Sequence, residues 1–259
     1  MSGTFFTEKP GSKKFFKTQN LVKSKVARKV QFLIPSFITV VSTFCGFLAL
    51  LSAVKGRFEY ATQCIVLSII LDGLDGRVAR RLNATSAFGR EFDSLSDLIA
   101  FGVAPAVLIY FWAFNTIADE FGILVSFIFI ACAATRLARF NIAESSEPSK
   151  FFSGLATPGA ALAVASLVYF YPQRLENYYL IGFTMVYSLV LSVLMVSTFR
   201  YFSIKRLKLS SGNPRINIFI LSLLVALSWY HLRMAILVVG TGYALSGPLW
   251  YLYVTMKKK

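Results

Sequence analysis

Apolar and polar positions alternate along this chain on the scale of whole helices rather than turns. Apolar runs lie at about 33–54, 59–82, 90–114, 121–142, 155–171, 178–199, 215–230 and 233–253. Most approach the roughly 20 residues that a helix needs to cross a bilayer. Between them stand short polar or basic connections, so the pattern predicts an all-α polytopic membrane protein of about eight spans. The run 215–230 is short and turns tightly through Tyr230-His231-Leu232-Arg233. It reads as one arm of a two-span hairpin, with a shallower excursion as the alternative.

Residues 1–31 break the pattern. They carry Lys9, Lys13, Lys14, Lys17, Lys23, Lys25, Arg28 and Lys29 against Glu8. Phe15, Phe16, Leu21, Val22 and Val26 supply the apolar side of a short juxtamembrane surface helix; a disordered basic tail is the alternative. This start is basic and polar, unlike a cleavable leader. The expected organisation is therefore a basic segment over 1–31, a core over 32–200, and a basic loop with the C-terminal hairpin over 201–259.

Charge orients the stack. With the N-terminus inside, Lys55, Arg57, Arg174 and Arg233 fall outside, balanced by Glu59, Asp119, Glu120 and Glu176. Every other Lys and Arg lies on the opposite side, which places both termini in the cytoplasm by the positive-inside rule. Composition agrees: 56% of the 259 residues are hydrophobic, 25 are phenylalanine, and the formal net charge is +15. Mean hydropathy is +0.63 and the pI about 9.9. The basic residues flank apolar runs, so anionic membrane lipid and not nucleic acid is the partner they suit. Cys45, Cys64 and Cys132 sit inside apolar runs without metal-ligand spacing and read as packing residues. His231 is the single histidine, placed between two spans and away from the chemistry below.

That chemistry lies at the cytoplasmic ends of the second and third runs. The stretch Ile70-Leu71-Asp72-Gly73-Leu74-Asp75-Gly76-Arg77-Val78-Ala79-Arg80 is answered, after a polar bend, by Gly89-Arg90-Glu91-Phe92-Asp93-Ser94-Leu95-Ser96-Asp97. In helices Asp72 and Asp75 share one face, as do Asp93 and Asp97. Lone acids at a helix end pass for a solvated cap. Four beside hydrocarbon repel one another and resist desolvation unless cations sit among them. One or two divalent metals on oxygen ligands satisfy that demand and suit phosphoryl chemistry. An unconsumed carboxylate accepts a proton, Arg80 offers a phosphate fork, and Gly76 leaves room for a flat base.

The string Asp72-x-x-Asp75-Gly76-x-x-Ala79-Arg80, eight residues, then Gly89-x-x-x-Asp93-x-x-x-Asp97 resembles the motif of the CDP-alcohol phosphotransferases at every defined position. The resemblance implies a six-span helical core, commonly dimeric, that displaces CMP from a CDP-linked alcohol with a second alcohol. It implies Mg2+ or Mn2+, two ions in all. Asp72, Asp75 and Asp93 would hold one and Asp72, Asp93 and Asp97 the other, with Asp97 as proton acceptor. Gly76, Arg80 and Ser86 match positions that contact the CDP moiety.

Asp93 to Ala106, Arg136-Leu137-Ala138-Arg139-Phe140-Asn141, Gly154 to Ala161 and Leu194 to Tyr201 resemble the serine-accepting branch, whose substrates are CDP-diacylglycerol and L-serine. Glycerol 3-phosphate, an inositol phosphate or choline are the alternative acceptors. Ser36 and Ser42 depart from the asparagines of many relatives, which weakens any substrate contact from the first span. Arg136 and Arg139, three apart near the cytoplasmic end of the fourth run, either bind the acceptor carboxylate or merely mark topology. A transporter would spread its acids through the membrane depth and show repeats, and a non-catalytic lipid scaffold gives no reason for four aspartates. An enzyme is the expectation.

Overall fold

The computed structural model describes residues 11–82, 84, 86–115, 118–146, 154–199, 201 and 232–257. Among these every regular element is helical. Five of the helices are long and apolar enough to cross a membrane: Leu33–Val54, Ala87–Phe114, Asp119–Ile142, Tyr178–Val196 and Leu232–Lys257. The chain is thus a polytopic helical membrane protein in architecture. The first arm of the expected hairpin, 215–230, and His231 fall outside the described residues.

The first helix, α1 (Gly11–Val54), is a single 44-residue rod. Pro35 lies inside it, three residues past the expected boundary between a surface segment and a first span at residue 32. Residues 12–34 contain neither Gly nor Pro and are rich in Lys, Val and Gln, so nothing there stops a helix. It ends at Gly56, whose φ of +70° suits a residue without Cβ. Gly56 N–H bonds Ala53 O at 3.0 Å and Arg57 N–H bonds Ser52 O at 2.8 Å, a Schellman closure. The chain then reverses at once into α2 (Phe58–Arg81).

Among the described residues α1 and α2 form the most extensive helix pair, clasped by hydroxyls. Ser42 and Ser68 lie Oγ to Oγ at 2.8 Å, and each also donates to the other's carbonyl, at 3.1 and 3.0 Å. Such small hydroxyl residues bring membrane helices close. Ser42 is therefore spent on this contact.

After the bend, one continuous rod runs from Ala87 to Phe114. It comprises α3 (Ala87–Asp97), a π-helical stretch (Leu98–Val103), α4 (Ala104–Ile109) and a second π stretch (Tyr110–Phe114). Pro105 explains the first π stretch: it has no N–H, and its ring excludes the carbonyl four residues back. The Ala104 N–H reaches Ile99 O instead, one residue further than an α-turn allows. The widened coil begins at the residue after Asp97.

α5 (Asp119–Ser146) and α7 (Tyr178–Val196) pack together, while α6 (Thr157–Phe170), at 14 residues, is too short to span alone by length. α8 (Leu232–Lys257) lies along α6. The core is built from Phe101, Trp112, Phe114, Phe129, Ile65, Leu155 and Met195, all essentially inaccessible, with many alanines where helices approach closely. Cys45 and Cys64 are buried free thiols in apolar surroundings, as expected of packing residues.

Candidate active site

The α1–α2 reversal and the bend before α3 bring three polar helix faces together at one end of the bundle. Ser86 fixes the bend: its Oγ accepts the Gly89 N–H at 2.9 Å and caps α3. That cap sets where α3 starts, and so where Asp93 and Asp97 point.

One carboxylate oxygen from each of Asp72, Asp75 and Asp93 lies within 4.8 Å of the others. Two oxygens on a single Mg2+ stand at most about 4.2 Å apart, given bonds of about 2.1 Å. A small rotamer adjustment closes the difference. Asp97 faces Asp72 at hydrogen-bond contact, so the fourth acid joins the cluster edge. Asp75 is 4% exposed and its Oδ2 accepts the Thr39 hydroxyl at 2.8 Å. Asp93 Oδ1 is buried without any hydrogen-bond partner. A buried carboxylate oxygen left unpaired costs several kcal/mol, and the Asp93 carboxylate that carries it lies beside two more. Three converging carboxylates, one of them with an orphaned oxygen, fit a divalent cation such as Mg2+ or Mn2+.

α1 supports this cluster in a way the sequence did not announce. The Thr39 carbonyl accepts the hydroxyls of Thr43, at 2.8 Å, and Ser96, at 3.4 Å, while Thr43 and Ser96 touch hydroxyl to hydroxyl. Thr39, Ser42 and Thr43 follow the i, i+3, i+4 rule of one helix face. That polar stripe inside an apolar run was the available signal.

The remaining sequence candidates divide. Arg80 is exposed, and its guanidinium lies over Gly76, 3.5 Å from where a Cβ would stand. The two thus form one surface beside Asp75. Arg136 is half-buried on α5; its Nη1 donates to Thr157 Oγ1 at 3.3 Å, its Nε is buried and unpaired, and it stands within electrostatic reach of Asp97. Arg139 is exposed and donates to the Val196 carbonyl at the end of α7, where a cation complements the helix dipole. The two arginines take different partners: Arg136 lies toward Asp97 and Arg139 reaches the end of α7. Asn141, next to this end of α5, accepts from Ser94 at 3.1 Å and donates to Glu91 at 3.3 Å, tying α5 to α3.

Residues 32–197 match the family described as CDP-alcohol phosphatidyltransferase. The chain is 42% identical over 183 residues to a CDP-diacylglycerol–serine O-phosphatidyltransferase of Helicobacter pylori, covering 68% of this chain and 75% of that protein. A protein of the same name from Bacillus subtilis is 39% identical over 138 residues, 53% of this chain and 76% of its own length. The archaetidylserine synthase of Methanothermobacter thermautotrophicus is 34% identical over 172 residues, 65% of this chain and 69% of that one.

Proposed function

The chain belongs to the CDP-alcohol phosphatidyltransferase family and is a transferase of phospholipid biosynthesis; on that premise we propose that it transfers the phosphatidyl group of CDP-diacylglycerol to the hydroxyl of L-serine. The observation that carries this reading is the cluster of the Asp72, Asp75 and Asp93 carboxylates, with a buried unpaired oxygen on Asp93, at the end of the bundle where the family motif lies. The similarity to CDP-diacylglycerol–serine O-phosphatidyltransferases of bacteria and to an archaetidylserine synthase of an archaeon supports serine as the acceptor.

Asp72, Asp75 and Asp93 would hold one divalent ion, and Asp72, Asp93 and Asp97 a second. Mg2+ or Mn2+ bound there would neutralise charge on the pyrophosphate. Arg80, beside Gly76, takes a phosphate oxygen of the nucleotide lipid through its planar fork, and Ser86 borders the same pocket from the bend. The serine hydroxyl oxygen attacks the phosphorus that carries diacylglycerol. A new P–O bond forms, the bond to the bridging oxygen breaks, and CMP leaves with the electron pair. The hydroxyl proton passes to Asp97. Arg136 holds the serine carboxylate, since its unpaired Nε and its position near Asp97 suit an anion beside the base. One displacement inverts configuration at phosphorus.

The enzyme works in this reading as a homodimer in the cytoplasmic membrane, with about eight spans, both termini and the active site on the cytoplasmic side, and anionic lipid against its basic connections. The test is an acceptor panel. Purified full-length protein in detergent, given CDP-diacylglycerol and Mg2+ or Mn2+, is expected to release CMP and form phosphatidylserine with serine. CMP release driven by glycerol 3-phosphate, an inositol phosphate or choline, but not serine, would overturn the acceptor assignment.

A further inference from the structure

Tyr243 lies on α8, beyond the residues that match the family, yet it reaches the motif end of the bundle. Its ring rests on the first turn of α6: a Cβ on Gly159 would stand 2.5 Å from Tyr243 Cε1, so only glycine admits the ring there. Two residues earlier, Thr157 accepts from Arg136. Tyr243 and Arg136 stand within electrostatic reach of each other, as do Arg136 and Asp97. Tyr201 fastens α8 in this register. Its hydroxyl donates to Ala244 O at 3.0 Å, its ring centroid is 6.0 Å from that of Tyr243, and a Cβ on Gly247 would meet it at 2.4 Å.

The start of α6 has the character of an anion site. Its N-cap, Ala156, has no side chain able to cap, and Pro158 occupies the first turn. First-turn N–H groups carry the positive end of the helix dipole. Beside them is the half-buried Arg136 guanidinium, whose inaccessible Nε has no partner. Gly154, at φ +83°, holds this turn in place by donating its N–H to Phe199 O at 2.9 Å.

We propose that Tyr243, the Arg136 guanidinium and the first turn of α6 form a cradle for the carboxylate of an amino-acid acceptor, so that the C-terminal helix completes the active site. This rests on serine being the acceptor. The phenolic O–H donates to one carboxylate oxygen while Arg136 takes the other, which holds the acceptor hydroxyl toward Asp97. Choline, having no carboxylate, gains nothing from the cradle.

The test compares L-serine with L-serinamide, which keeps the hydroxyl and ammonium but lacks the carboxylate, in full-length wild type and Tyr243→Phe. Phenylalanine keeps the ring on Gly159 and removes only the donor. The variant is expected to raise the KM for serine about tenfold, the worth of a hydrogen bond to a charged group. Its KM for serinamide and for CDP-diacylglycerol should stay within twofold of wild type. If turnover with serine falls below detection, retained turnover with serinamide still supports the cradle. Equal change with both acceptors, no change with either, or a shift confined to CDP-diacylglycerol would overturn it. Failure of the wild type to use serine would instead sink the acceptor assignment, so the two failures are distinguishable.

Discussion

The two ends of the helix bundle are built on opposite rules. At the end away from the motif, Asn115 Oδ1 is buried without a partner, but Trp112, Leu175 and Arg233 meet complementary groups. Trp112 Nε1 donates to Tyr171 O at 2.9 Å, Leu175 N–H to Trp112 O at 3.0 Å, and Arg233 pairs with Glu59 at 3.1 Å while lying over the Tyr169 ring. At the motif end, four carboxylates face one another, and Asp93 Oδ1 has no partner. Burial of like charges is tolerated only where the rest of the fold holds them. The complementary end and the α1–α2 clasp supply stability; the motif end stores its opposite for use on a ligand. Substitutions should therefore change sign between the two ends.

The largest contrast is expected from the acids. Asp72→Asn, Asp75→Asn, Asp93→Asn and Asp97→Asn should each lower CMP release by a thousandfold or so, on the order of 4 kcal/mol of transition-state stabilisation. In metal-free protein the same changes should raise the melting temperature by a few degrees, because each removes one acid from a cluster whose ionised members repel one another. A fall in melting temperature would mean that the carboxylates stabilise the fold on their own, and the contrast would be lost.

Thr39→Val comes next. It removes the hydroxyl that orients Asp75 without touching the acid itself, and about a tenfold loss in kcat is expected with the CDP-diacylglycerol KM little changed. An unchanged rate would show that α1 merely packs against the site.

At the other end, Trp112→Phe should cost about 2–4 kcal/mol of stability, from a lost hydrogen bond and the cavity left in the core, and leave the turnover rate alone. Thermal unfolding in detergent and the acceptor assay read the two quantities separately. Glu59→Gln marks the bottom of the scale. Its pair is roughly half exposed, at 48% and 45%, so a few tenths of a kcal/mol is the most it should remove.

The acids were legible in the chain because helical spacing fixes which residues share a face within one helix. The hairpin that joins the helix of Asp72 and Asp75 to the helix of Asp93 and Asp97 needed only a short polar bend, which was also visible. What one helix meets on another depends on rotation and crossing, and spacing does not carry that. Thr39 was hidden for this reason, as was Tyr243, which comes from a helix more than a hundred residues beyond the motif. Arg136 and Arg139 illustrate the same limit: three residues apart, they diverge enough for one to meet Thr157 and the other Val196. The π stretch after Asp97 follows from Pro105, yet proline equally permits a kink or an end. The long α1 was divided on composition, and Pro35, close to that division, sits inside the helix without ending it.

The most direct measurement is Mn2+ binding to the purified full-length protein by electron paramagnetic resonance, wild type against Asp93→Asn. If the unpaired Asp93 oxygen completes a cation site with Asp72 and Asp75, the wild type takes up Mn2+ and the variant loses most of that binding while remaining folded. Undiminished Mn2+ binding in Asp93→Asn, or none in the wild type, would contradict it.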